Sequence, residues 1–478
     1  METVRKKNMS TVEIPWTSEA IRPRREGRRG WPLILDWVYL FLLLAALPYT
    51  LYKLFATEKY RHGLRERLGW VPPRTGKAPC LWLHGVSVGE VLAARQFVTE
   101  LLRTLPGWEI VISTTTRTGQ QIAHQHFGER HKVFYFPYDF TLAVHSTFQR
   151  IRPDAVVLME LEVWPAFLEE ARRRLLPVFV ANGRLSETSF RGYQRIRPLM
   201  KRFLEPIRMV LVQNPIYGER FRSLGIREMF IQTTGNMKYD NLPAPIRAEA
   251  ARSLREEYGF DPTEPILLAG STHDPEELAL VEIYESLRKT DPRLRLILVP
   301  RHPERAADLT KRIEERGHPV LRRSRLKPNS GSNSEKNEPT PSIFLVDTIG
   351  ELGKLYCLAD LVFIGGSLID HGGQNVLEPA GAGKPVLIGP SYRNFKEEVE
   401  RLRDAGGLLV TRDSTELETH LTHLLQDPDA RQRMGNRGRE TLTELKGASA
   451  KNASRISNIL TPIPSSRDSL PKENKPIH

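Results

Sequence analysis

The chain predicts an α/β protein built from two doubly wound, parallel-sheet halves. Three observations predict it. Short apolar runs alternate with helical patterns from Pro79 to about Val212, and again from Pro265 to about Val410. Glycine-rich turns follow several of the apolar runs, above all in Gly365–Pro390, GGSLIDHGGQNVLEPAGAGKPVLIGP. A length of 478 residues is too great for one core.

Residues 1–30 are polar and basic, with Arg22, Arg24, Arg25, Arg28 and Arg29 clustered, and read as a disordered extension. Residues 31–57 turn apolar, about one bilayer thickness of helix. An aromatic belt (Trp31, Trp37, Tyr39, Tyr49, Tyr52) and the adjoining arginines favour a membrane anchor over a buried core helix. Asp36 and Pro48 interrupt the segment, so lying on a membrane stays as open as spanning it.

The first half, 58–240, has strand patterns at Cys80–His84, Glu109–Thr114, Val133–Phe136, Ala155–Met159, Pro177–Ala181 and Met209–Gln213. Helical patterns lie at Glu90–Leu105, Gly119–Phe127, Trp164–Arg174 and Ile216–Leu224. Tyr239–Pro262 is polar and proline-bearing, a hinge region. The second half, 241–461, has strand patterns at Ile266–Ala269, Leu294–Val299, Ile343–Val346, Leu361–Ile364, Pro385–Ile388 and Leu408–Val410. Its helices fit Pro275–Lys289, Pro303–Arg316, Glu351–Ala359, Val376–Ala382 and Lys396–Ala405. Residues 324–342 form a polar, flexible insert, and 462–478 a disordered tail.

Net charge is +13, which points to anionic partners. No zinc-finger spacing, RNP-like aromatic run or continuous basic block is present, which argues against nucleic acid. Cys80 and Cys357 lie far apart in apolar contexts, against a disulfide scaffold or thiolate metal site. No clustered metal ligands and no G-x-S-x-G elbow occur.

Around Gly365–Pro390, a strand at Leu361–Ile364, a glycine loop, a helix start and a second strand follow one another. Free N–H groups in such a loop favour an anion, and Glu378 one turn into the helix suits a ribose diol. In LWLHGVSVGE, Glu90 opens a helix after a buried strand. Ser87 and Glu90 have capping-box spacing, a complete structural reading. The functional alternative is a general base at a strand's carboxyl end. His84 reads as a core-edge histidine. In LMELEVWP, Glu160 and Glu162 follow a strand, and at i and i+2 of an extended segment they share one face. Lys238 lies in GNMKYD after the last strand of the first half. AGSTHDPEE, LVPRHPER and DTIGEL add three strand-to-helix turns, with Arg301 a natural phosphate fork.

HGVSVGE, TTTRTG, FPYD, MELEVWP, NGRLS, GNMKYD, STHDPEE, PRHPER, DTIGEL and the glycine segment occur in the order and spacing of one family. Over about residues 33–460 the chain resembles the bacterial 3-deoxy-D-manno-octulosonic acid (Kdo) transferases. The resemblance implies a GT-B glycosyltransferase, two Rossmann-like domains facing a cleft, with an N-terminal membrane-associated segment. It implies CMP-Kdo as donor and lipid IVA as acceptor, inverting and metal-independent transfer, and no cofactor. It places the enzyme at an anionic inner-membrane surface, on the cytoplasmic side.

By motif, Glu90 matches the family's general base, and Glu160 and Lys238 the residues that stabilise the transition state. Pro300, Arg301, Ile349, Gly350, Glu351, Asn375, Val376, Leu377 and Glu378 match the CMP-binding positions. Gln374 stands where a histidine is common, Gly183 for an alanine, Leu161 for a threonine and Arg117 for a proline. A UDP-sugar transferase and a catalytically dead binding module are the competing readings. The joint presence of Glu90, Glu160 and Lys238 speaks against the second.

Overall fold

A computed structural model describes residues 62–242, 248–325 and 343–461. The expected basic extension, the 31–57 anchor, most of the 324–342 insert and the 462–478 tail lie outside the described residues. Among the described residues no helix is long and apolar enough to cross a membrane. The chain divides into two compact units, one running to Asn241 and resuming at Gly447, the other Leu242–Lys446.

The first unit holds a parallel sheet of seven strands in the order β3-β2-β1-β4-β5-β6-β7. They are β1 Cys80–His84, β2 Glu109–Thr114, β3 Lys132–Tyr135, β4 Ala155–Met159, β5 Val178–Gly183, β6 Ile207–Val212 and β7 Ile231–Thr233. Continuous apolar runs such as Ala155–Met159 suit strands covered on both faces. Trp82 sits fully buried on β1, its ring centroid 5.4 Å from Phe134, 5.2 Å from Phe148 and 5.0 Å from Phe167. Its indole N–H donates to Ser113 Oγ at 2.8 Å, which satisfies the one polar atom this ring carries into the core.

The second unit repeats the plan with β8 Ile266–Thr272, β9 Arg295–Pro300, β10 Val320–Arg322, β11 Ile343–Leu345, β12 Leu361–Ile364, β13 Val386–Ile388 and β14 Leu408–Val410. Their order is β10-β11-β9-β8-β12-β13-β14. In each sheet the order reverses beside the first strand, between β1 and β4 and between β8 and β12. Crevices at the carboxyl ends of such strands are where open α/β sheets bind ligands.

The strands follow the sequence reading closely, with β7 and β10 added. Helices not expected lie at Thr141–Ile151, Glu187–Arg195, Arg197–Phe203, Ala248–Glu257, Ser414–Gln426, Pro428–Glu444 and Ala448–Leu460. The second domain was expected to run to 461. Helix Ala448–Leu460 instead packs on the first unit, where Ala448, Ala453 and Ile456 are buried with Phe97, Ala181 and Leu211. The reason is a polar seam as well as this apolar face. Asp240 caps the helix by accepting from the Gly447 and Ser449 N–H groups. Buried Asn452 donates to Thr234 Oγ1 at 2.8 Å and accepts from the Asn182 N–H at 3.4 Å.

Replacing Asn452 by alanine leaves these groups without partners. The expected cost is about 1–3 kcal/mol of first-unit stability, read as a lower denaturant midpoint. An unchanged midpoint contradicts this account of the seam.

Candidate active site

In the first unit, Glu90 lies in the first turn of helix Val88–Thr104, which starts from the carboxyl end of β1. Its carboxylate accepts from the Val86 N–H at 2.9 Å and from Ser87 Oγ–H at 2.9 Å. The Glu90 N–H reaches Ser87 Oγ at 3.4 Å. Ser87 and Glu90 therefore cap this helix start, as their spacing predicts. Burial pushes the Glu90 carboxyl up from its ordinary 4.5 to about 7, and the negative charges of Glu160 and Glu162 push the same way. The Val86 and Ser87 hydrogen bonds oppose the shift.

Glu160 follows β4 directly, beside β1 across the strand reversal. The expected extended segment is absent: Glu160 has φ 61 and Leu161 φ 113, unusual for residues with side chains. The Glu160 N–H donates to the Ala181 carbonyl at 2.9 Å, and its own carbonyl accepts from Arg184 N–H at 3.0 Å. These bonds, with buried Leu161, hold the turn open. Burial, and then the charge on Glu160, raise the Glu162 carboxyl. Three carboxylates thus lie within electrostatic reach of each other at the switch point of this sheet.

Lys238 is half-buried on the 3-10 turn Met237–Asn241. Asn241 pins that turn to the Glu90 helix, donating to the Ala93 carbonyl at 3.0 Å and accepting from the Gln96 N–H at 3.1 Å. Asn182, at φ 56, accepts from the Met237 N–H at 2.9 Å. His84 is a buried, neutral core residue as expected. Burial drives it down to about 3, and it stacks on Phe136 at 3.9 Å.

In the second unit the expected anion cradle is already occupied. Glu276, 1% exposed, accepts from the N–H groups of His273 (3.0 Å), Gly366 (2.6 Å), Ser367 (2.9 Å) and Leu368 (2.9 Å). The first residues of the glycine loop after β12 therefore spend the amides of Gly366, Ser367 and Leu368 on a protein carboxylate, so these three are not free for phosphate, while the helix start at Asn375 takes no part in this cradle. The sequence pattern places STHDPEE at a strand-to-helix turn and does not single out Glu276. A second acid beside Glu277, inside STHDPEE, was the available signal.

Around this loop stand the donor candidates. Pro300 ends β9, and exposed Arg301 follows, its N–H bonded to the Thr272 carbonyl at 2.9 Å. Ile349 is 89% exposed, and Gly350 has φ 90. Glu351 is engaged by Arg323 at 3.1 Å and Thr348, which hold its carboxyl below the usual range. Asn375 donates to Glu378 at 3.0 Å and accepts from the Leu377 N–H at 3.0 Å. Val376 and Leu377 are buried, so only their backbone can meet a ligand. Burial raises the Glu378 carboxyl, against the Asn375 hydrogen bond. The helix there, Leu377–Gly381, is shorter than expected. Among the described residues no cluster of metal ligands occurs.

A family model described as 3-deoxy-D-manno-octulosonic-acid transferase matches residues 62–241, and one for glycosyl transferases group 1 matches 333–441. The chain is 33% identical to a 3-deoxy-D-manno-octulosonic acid transferase of Haemophilus influenzae, over 82% of this chain and 90% of that one. It belongs to the Kdo transferase family. A Bordetella pertussis protein of the same name is 31% identical over 84% of this chain and 90% of its own.

Among solved structures, this Kdo transferase is similar to the C-terminal CMP-Kdo binding domain of WaaA from Acinetobacter baumannii. That match has 28% identity and TM-score 0.36, and covers 41% of this chain and 96% of that one. A UDP-GlcNAc 2-epimerase from Neisseria meningitidis is 14% identical with TM-score 0.51, over 80% of this chain and 99% of its own, a likeness of fold alone. The two Rossmann-like sheets make the Kdo transferase a GT-B glycosyltransferase.

Two outcomes are expected. Glu276→Ala strands buried N–H groups, costing about 3 kcal/mol and speeding hydrogen exchange in 365–376; unchanged exchange contradicts the cradle. Glu90 carries a raised folded-state pKa, so the stability given by its protonated form is whole below about pH 4.5 and lost as pH rises through about 7. Glu90→Gln should therefore gain on the wild type between those values, by up to roughly 3 kcal/mol. A difference independent of pH in unfolding titrations contradicts the shift.

Proposed function

We propose that the chain transfers Kdo from CMP-Kdo to lipid IVA in lipopolysaccharide biosynthesis, inverting the anomeric centre without a metal ion. The supporting observation is Glu90, a buried carboxyl brought to about 7 beside Glu160 and Glu162. A general base works best with a pKa near the operating pH. Glu90 takes the proton of the acceptor hydroxyl as that oxygen attacks the anomeric carbon, and CMP leaves with the bonding electrons. Glu160 and Lys238 stabilise the cationic sugar and the charges around it in the transition state. Lys238 suits this role because Asn241 and Asn182 fix the turn that carries it.

The donor's nucleotide binds at Pro300, Arg301, Ile349–Glu351 and Asn375–Glu378. Arg301 faces the leaving phosphate. Glu378 meets the ribose. The net charge of +13 suits a phosphorylated lipid in an anionic membrane. Residues 31–57 attach the enzyme to the cytoplasmic face of the inner membrane.

Purified protein incubated with lipid IVA and a CMP-Kdo generating system should yield Kdo-bearing lipid by mass spectrometry. Glu90→Gln should lower kcat about 100- to 10,000-fold while CMP binding by calorimetry stays intact. Full activity in that variant returns Glu90 to a capping role. Preference for UDP over CMP sinks the donor assignment.

A further inference from the structure

His273 ends the turn after β8, only 8% exposed. Its ring centroid lies 4.5 Å from that of His371 and 5.7 Å from that of His302. Gln374 Nε2 is 3.5 Å from its Nε2. The turns after β8, β9 and β12 thus bring three imidazoles together at the switch point of the second sheet, with Arg301 in electrostatic reach. Gly366, at φ +64, lets the loop lie against this ring: a Cβ there would come within 3.3 Å of His273 and 3.4 Å of Gln374.

The acids nearby are largely committed elsewhere. Glu276 is filled by four N–H groups. Glu277, fully buried, pairs with Arg305 at 3.0 Å. Asp274 pairs with Arg312 at 3.0 Å, and Asp370 with Arg393. Glu304, 3.3 Å from His302, is mostly exposed. Burial, then His371 and His302, depress the His273 pKa, with Arg301 acting the same way and only Glu277 opposing. Groups able to carry positive charge converge here with little protein anion among them, and such a cluster is completed by an anionic ligand.

Because Glu276 occupies the amides of Gly366, Ser367 and Leu368, a second negative charge on a donor finds no partner in those three amides, and the side chains beside them are the groups in place. We propose that His273, with His302 and His371 beside it, forms the subsite for the carboxylate of the donor's acidic sugar, next to Arg301. This rests on the reading of the donor as a CMP-linked acidic sugar. The imidazoles take up protons as the carboxylate enters and orient the sugar. No bond to the sugar forms or breaks here.

Steady-state kinetics and CMP calorimetry on His273→Gln test it. The KM for CMP-Kdo should rise about ten-fold or more, the worth of one charge-assisted hydrogen bond. CMP affinity and kcat should each stay within about two-fold. A parallel fall in CMP affinity would assign the imidazoles to the phosphate, and an unchanged KM would leave them without ligand; either overturns the proposal. If His273→Gln does not fold, exposed His371→Gln decides: KM about three-fold higher with CMP affinity kept supports the subsite, and unchanged KM removes it. Wild-type protein unable to use CMP-Kdo would instead refute the donor reading itself, a separate result.

Discussion

One buried carboxylate organises the second unit. Glu276 accepts four backbone hydrogen bonds, three of them from the loop after β12. Charge-assisted bonds of this kind offset the cost of removing a carboxylate from water only when all are made together. They lock the glycine loop to the helix Glu276–Thr290 and to the end of β8. That lock sets Gly366 against His273, and it takes from the loop the amides a ligand anion would otherwise use. Anion recognition then passes to side chains, with Arg301 and the imidazoles the groups in place.

The first unit solves a similar problem differently. Its helix-start carboxylate, Glu90, receives one backbone N–H and one hydroxyl, not four amides. Burial, with two further carboxylates beside it and only these two bonds opposing, brings its pKa to about 7, which suits proton transfer. The left-handed turn at Glu160 and Leu161 brings the second acid in, and the Asn241 clamp holds the Lys238 turn to the same helix. Stability and chemistry are separated by how completely each buried charge is paired.

Much of this was legible in the sequence. Apolar runs such as Cys80–His84 and Leu361–Ile364 fall on strands without shift, because a two-sided parallel strand has no polar alternation to blur its ends. Glu160 and Arg301 fall directly after β4 and β9 for the same reason, and Glu90 falls in the first turn of the helix that follows β1. Several motif residues proved to be caps: Thr116 for helix Arg117–Phe127, Ser186 for Glu187–Arg195, Asp139 for Pro165–Arg173. The return of helix Ala448–Leu460 to the first unit was not legible, since its partners Asn182 and Asp240 lie more than two hundred residues away. Nor was the filling of the glycine loop, because a local pattern of glycines does not reveal which distant acid reaches its amides.

A crystal structure of the chain with CMP bound shows which groups receive the donor's phosphate. The expected structure has the phosphate against Arg301, with Glu276 still bonded to the amides of Gly366, Ser367 and Leu368. A phosphate seated on those amides, with Glu276 displaced, would contradict it.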